Sequence, residues 1–367
     1  LTTAAVAKAP PSRYFVNPWV DFLAIGLASV IFFLLAKWVV DVNVGKSATV
    51  AFYAAWIVNW PHFSATNYRL YGSRVNASQY PVTAILTPIL MIGGIAASVA
   101  SPATVAVCFV KLFLIWSPYH FSGQTIGITL VYARRHGFAI GKVERLVLAM
   151  FVYGTFIAQT AAFEAGHGLQ PFFGITTPAL GIPQQLATLA SYMPPVAGGT
   201  FIVLMAYRFV VSRQLVPPIV LLPALTQFIW FMPGSAVPAF SAFVPFFHSF
   251  QYLFIAWAVN LKEKMDMGAI APSKGFVIRE SVLWGALNIC GGAILFFVLP
   301  RVLAMIGGGD LGFTEPVLIS GVQMHHFFVD GVIWKLKNPK VMSPLGVNID
   351  QLIGAPSVAL SDVVPTA

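Results

Sequence analysis

Residues 114–135 read LIWSPYHFSGQTIGITLVYARR, and the architecture turns on this stretch. Its length and apolar content suit a helix crossing a hydrocarbon core, which takes about 20 residues. Yet it carries His120 and Gln124 one helical turn apart before it ends on Arg134 and Arg135. An ionisable side chain at such a depth is costly and faces the interior of a helix bundle, where it belongs to a site or a path.

The rest of the chain agrees with a membrane setting. Of 367 residues, 58% are hydrophobic and 9% charged, and the mean hydropathy is +0.80; a soluble domain carries about 25% charged residues. The fold class is therefore all-α, a polytopic transmembrane helix bundle. The net charge of +9 comes without a basic cluster interleaved with polar residues, so it bears on membrane topology and excludes nucleic acid as a partner. Cys108 and Cys290 lie in apolar runs without a CxxC pair, which leaves no redox or zinc signal from thiols.

Runs of sufficient length fall at 19–40, 47–69, 80–100, 103–133, 143–164, 194–212, 215–233, 236–261, 280–305 and 314–336. The apolar run that opens this series is too long for a signal-peptide core and reads as a retained first span. Prolines at 217, 218, 223, 233, 238 and 245 predict kinked or broken helices in the seventh and eighth spans. With ten spans and an inner N-terminus, the outer side holds only Lys37, Lys46 and Arg301, and Lys111 lies within a span. The other seventeen basic residues, from Lys8 and Arg13 to Lys335, Lys337 and Lys340, face inward. Cytoplasmic loops are enriched in Lys and Arg, so an even count with both termini cytoplasmic is expected. The division is a segment 1–18, a bundle 19–337 and a tail 338–367 that lies as a strap on the surface or is partly disordered. The outer loop 165–193 is expected to dip into the interface or form a short surface helix, and Lys111 to snorkel outward. A bacterial inner (cytoplasmic) membrane is the expected location.

Five histidines fall within the spans: His62, His120, His248, His325 and His326. They sit on even-numbered spans, each ending on a basic residue, 7 residues before Arg69, 14 before Arg134, 14 before Lys262 and, for His326, 9 before Lys335. At 1.5 Å per residue these depths are about 10, 21, 21 and 14 Å from the inner boundary, one layer of the membrane. Four helices agreeing in depth point to a shared metal or cofactor, because imidazole is the commonest protein metal ligand. A hydrogen bond between helices is the plain alternative for each histidine taken singly.

The neighbours fit a site. Asn59, His62 and Thr66 form one polar stripe, and Gln323, His326 and Asp330 another. Asp330 is the candidate carboxylate beside a ligand histidine, with a helix-end pair to Lys335 or a neighbour as its other reading. Gln124 beside His120, and Gln251 and Tyr252 beside His248, are candidate cofactor-binding residues or interhelical hydrogen bonds. Gly123 and Gly127 leave either room for a ligand or a close helix contact. Pro61, Pro118 and Pro245 precede histidines and bend their helices, which opens a cavity. His136, His167 and Glu164 lie at the wrong depth. Imidazoles without thiolates suit iron, copper or zinc, and haem held by His62 with His248 or His120 with His326 is the main competitor to a non-haem centre.

The segments NWPHFSATNY (His62), SPYHFSGQ (His120), FFHSFQYL (His248) and MHHFFVDG (His325, His326) give a layout that resembles the Brp/Blh-type β-carotene dioxygenases. That resemblance implies histidine-bound non-haem iron, O₂ and a hydrophobic isoprenoid substrate. The Gly and acid that follow the family's early Pro-His are absent after Pro61-His62, and Tyr252 stands where its HxxxH pair would put a second histidine after His248. Two other classes of function remain open. One is a non-enzymatic subunit of a larger respiratory or photosynthetic complex, bound to other membrane subunits. The other is a transporter with a histidine proton relay, although no inverted repeat is visible.

Overall fold

The computed structural model describes residues 12–38, 44–72, 74–307, 309–336 and 342–354. Lys8, Lys337 and Lys340, most of the segment 1–18 and the tail beyond residue 354 lie outside the described residues. The chain is an all-α bundle, and eight helices are long and apolar enough to cross a membrane. They are α1 (Pro18–Trp38), α3 (Val82–Ala100), α4 (Pro102–Arg135), α5 (Lys142–Phe163), α6 (Gln184–Ser212), α7 (Pro218–Ala236), α8 (Pro238–Gly268) and α9 (Lys274–Gly307).

Eight of the ten expected stretches thus meet that measure of length and hydropathy. The second and tenth stretches are helical over comparable lengths, α2 over 44–71 and α10 over Leu311–Ile333, but both fall short of the hydropathy of the other eight. The physical reason is their polar stripes. Asn59, His62, Thr66 and Asn67 interrupt α2, and Gln323, His325, His326 and Asp330 interrupt α10. These two helices are sheltered by the others, with His62, Thr66 and His326 fully buried.

Several helices change pitch. A π-helical turn precedes Pro61 in α2 (Ala55–Asn59), Pro88 in α3 (Val82–Leu86) and Pro300 in α9 (Ile294–Val298). Proline removes one N–H and crowds the preceding turn, and a widened turn absorbs both effects. In α1 the helix is interrupted at Gly26. α9 packs on α2 at backbone distance, because a Cβ on Gly292 would come within 2.6 Å of the Trp60 carbonyl carbon. That contact holds the segment bearing His62 against the bundle.

The expected outer loop contains the short helix anticipated there, Gln184–Ser191 at the start of α6. It also contains an unforeseen antiparallel hairpin, β1 (Leu169–Phe172) and β2 (Ile175–Pro178), with Phe172 paired to Ile175. The hairpin rests on the start of α10, where Gly174 N–H donates to the Gly312 carbonyl (3.1 Å). Lys111 does not end in water as expected. Its ammonium donates to Glu164 (2.7 and 2.8 Å) and to Gln170 Oε1 (2.5 Å), and both ion-pair partners are buried. This pair ties α4 to the hairpin.

The opposite end of the bundle is closed by the chain's own flanks. Asp21 accepts the N–H groups of Phe15 and Val16 (2.7 and 2.9 Å) and the Tyr132 hydroxyl (2.7 Å). Arg135 donates to the carbonyls of Tyr14, Leu345 and Val347 and lies over the Phe15 ring. Residues 342–354 are thus a strap folded onto the bundle, one of the two readings of the tail for its described part, with Ile349 N–H bonded to the Phe15 carbonyl (2.7 Å). His136 follows α4 between Tyr14 and Tyr132, and burial lowers its pKa.

Candidate metal centre

Four helices bring the histidines of the sequence layer together. α2 supplies His62, α4 His120, α8 His248 and α10 His326. The Nε2 atom of His326 stands 2.8 Å from His62 Nε2 and 3.1 Å from His120 Nε2. Asp330, one turn along α10, places Oδ2 3.3 Å from His326 Nε2 and 3.9 Å from His120 Nε2. One donor atom from each of His62, His120, His326 and Asp330 lies within 4.8 Å of the others, a group that could hold a metal ion.

The hydrogen-bond network accounts for the ring orientation of His326. Thr66 has a single hydroxyl hydrogen, which it donates to Asp330 Oδ1 (3.1 Å). Its oxygen, 2.8 Å from His326 Nδ1, then accepts the Nδ1–H. A neutral imidazole carries one N–H, so His326 Nε2 presents a lone pair to the cluster. That lone pair can accept well from only one neighbour, yet two ring nitrogens face it. A cation at the centre would use every lone pair at once.

Asp330 therefore differs from its expected role. It stands among the donor atoms, and Thr66 takes the outer position on His326. Tyr252 closes the network from behind: its hydroxyl donates to Thr66 Oγ1 (2.6 Å), lies 3.2 Å from Asp330 Oδ1 and accepts from Trp334 Nε1 (3.3 Å). A pair of Asp330 with Lys335 does not occur among the described residues; the neighbours it meets are His326, Thr66 and Tyr252.

His248 belongs to the same chamber but not to the tight group. Its ring is stacked on Phe121 (3.7 Å, 10°), with ring centres 5.3 Å from His62 and 5.4 Å from His120. Both its nitrogens are buried without a hydrogen-bond partner among the described residues.

Two of the residues singled out in the sequence point elsewhere. His325 is turned away, with Nε2 3.2 Å from the Tyr71 hydroxyl, since successive residues on a helix face different directions; it is not a fifth member of the group. Gln251 donates to the Ile25 carbonyl (2.5 Å) beside the interruption at Gly26, so it braces α8 against α1 and leaves the cluster. Gln124 remains close: Nε2 donates to the His248 carbonyl (3.0 Å), and Oε1 is buried without a partner.

Two cavities meet at His120 and Phe327, whose rings stack at 4.5 Å. One, of about 280 Å³, lies toward the hairpin and is lined by Asn59, His62, His248, Glu315, Gln323 and a wall of phenylalanines that includes Phe172 and Phe173 of the hairpin. The other, of about 350 Å³, runs toward the strap past Gln124, Tyr252 and Asp330. Glu315 and the hairpin phenylalanines were not foreseen; strands of four residues carry too little alternation to be read from sequence.

No protein-family model matches the chain, and neither a curated protein nor a solved structure matches it. The reading of the site rests on its own chemistry.

Proposed function

We propose that the chain is an integral membrane metalloprotein, seated in a cytoplasmic membrane of the bacterial type, whose cluster holds non-haem iron. We propose further that it is an O₂-dependent oxidoreductase acting on an apolar, lipid or isoprenoid-like molecule. The observation that carries this reading is the convergence of three imidazole nitrogens and one carboxylate oxygen in a buried site flanked by two cavities. His62, His120, His326 and Asp330 are the proposed ligands, and His248 is a further imidazole facing the same chamber.

The chemistry of the donor set supports iron. Imidazole with a carboxylate and open positions is the ligand chemistry of non-haem iron oxygenases. With metal–nitrogen bonds of about 2.0–2.1 Å, ligands at right angles stand about 3 Å apart, whereas a tetrahedral site spaces them at about 3.4 Å. The spacings of 2.8 and 3.1 Å about His326 are those of a direct N–H···N bond as much as of ligands at right angles, and the set as a whole spreads to 4.8 Å, so its side chains would close together on loading. Haem fits less well. Its axial ligands face each other across a macrocycle, and no macrocycle passes between His120 and His326 nitrogens 3.1 Å apart.

Iron in this site would supply one-electron chemistry and O₂ activation. The chain's residues would do the rest: Thr66 orients His326 and Asp330, Tyr252 and Trp334 steady Thr66, and the phenylalanine walls exclude bulk water. The test is elemental analysis with a visible spectrum of the detergent-purified protein. Near-stoichiometric iron without a Soret band is expected, lost in His62→Ala, His120→Ala and His326→Ala, followed by O₂ consumption with an apolar substrate. A Soret band would reassign the histidines to haem. No metal and no chromophore would make the layer a packing network in a subunit of a larger complex.

A further inference from the structure

The cavity on the strap side of the cluster has glycines in two of its helical walls. Gly123 and Gly127 of α4 and Gly331 of α10 all line it. A Cβ at any of the three would meet no heavy atom within 4 Å, whereas one at Gly292 would strike the Trp60 backbone. Glycine weakens a helix, and these three do not repay that by letting helices touch. What they leave is space. Gln124 Oε1, buried without a partner among the described residues, lines the same space.

The space is open at its side and polarised along its length. Gly123 and Gly331 are exposed, and Tyr119, stacked on Tyr153 of α5, is 47% exposed. The cavity therefore reaches the lipid-facing surface beside α4. From residue 120 to residue 131 its wall follows α4 for about 16 Å, the length of about a dozen carbons at roughly 1.2 Å per bond of an extended chain. Its one lining carboxylate among the described residues, Asp330, is at the cluster, and Lys335 stands exposed at the far mouth.

We infer that this groove binds a single-chain amphiphile, its anionic head at Lys335 and its chain running past Gly127 and Gly123 to end beside His120. Entry is sideways from the bilayer, so the molecule need not leave the membrane. The role of this amphiphile as substrate rests on the cluster being the reacting centre; its binding does not require metal.

The probe is dodecanoic acid carrying a photoactivatable diazirine at the end of its chain, applied to the protein in lipid nanodiscs and mapped by peptide mass spectrometry. Labelling is expected at residues 116–124 and at Phe327. Gly127→Leu should cut it about tenfold or more, the scale on which a pocket rejects an ill-fitting group. Gly199→Leu on α6, where a Cβ also meets nothing, should leave it unchanged. Lys335→Gln should weaken labelling by the acid about fivefold and leave the corresponding dodecanol probe unaffected. Label scattered over lipid-facing residues, equal loss in both glycine variants, or equal response of acid and alcohol to Lys335→Gln would overturn the proposal. Iron measured on the same samples separates the two readings. Intact labelling without iron sinks the metal centre alone, and scattered labelling with iron sinks the groove alone.

Discussion

Helix α4 carries two buried polar centres, His120 near its middle and Tyr132 with Arg135 at its end, and they are built on opposite terms. At the end, the Asp21 carboxylate receives two backbone N–H groups and a hydroxyl, and the Arg135 guanidinium reaches three backbone carbonyls. In the middle, His62 Nδ1, both nitrogens of His248 and Gln124 Oε1 lack partners among the described residues, and three ring nitrogens crowd one point. An unpaired buried polar group costs stability. A fold that satisfies one centre and leaves the other open, on a single helix, separates a centre that holds the chain together from one whose free donor atoms could hold a metal ion.

That contrast can be broken most forcefully at its satisfied end. Asp21→Ala strands three donors and should cost about 3–5 kcal/mol, read as a large fall in thermal midpoint, while the folded remainder keeps the proposed metal. His326→Ala should do the reverse: metal content is lost, and the metal-free protein changes by less than about 2 kcal/mol. Should His326→Ala unfold the protein as Asp21→Ala does, the two centres are alike and both are structural. Thr66→Val tests the open centre more finely. It leaves the cluster donors in place and removes the partner of His326 Nδ1, so metal affinity should drop about 10–100-fold, measured by competition with a chelator. The smallest effect belongs to the groove. Gly123→Ala adds a methyl that meets nothing within 4 Å, and should leave the melting temperature unchanged or raise stability by about 0.5–1 kcal/mol.

Much of the open centre was legible before any coordinates. Counting residues from each histidine to its terminal Arg or Lys put His62, His120, His248 and His326 in one layer, and they share one chamber. The i, i+3, i+7 stripe of Gln323, His326 and Asp330 does face the chamber, while His325, read into the same metal set, turns to Tyr71. What escaped depended on departures from regular geometry. Gln251 was drawn away by the Ile25 carbonyl beside the interruption of α1, and periodicity assumes no interruption. Asp330 exchanged roles with Thr66 because side-chain reach, which sequence spacing does not encode, put the carboxylate among the nitrogens. The satisfied centre was missed altogether, since Asp21 and Arg135 are far apart in the chain and each looks like an ordinary helix-end charge.

The polar stripes of α2 and α10 also bear on how the protein is made. The helices that bring His62 and His326 to the cluster are the two whose own hydropathy falls short of the rest, so each enters the bilayer at a disadvantage that apolar neighbours must offset. Synthesis runs from N- to C-terminus, and α10 emerges only after α1 to α9, with half of the proposed ligand set on it. The cluster is therefore a late product of biogenesis. Through most of translation His62 and His120 have no partner on α10, and a cation can be captured only once that last, reluctant helix has settled among the others.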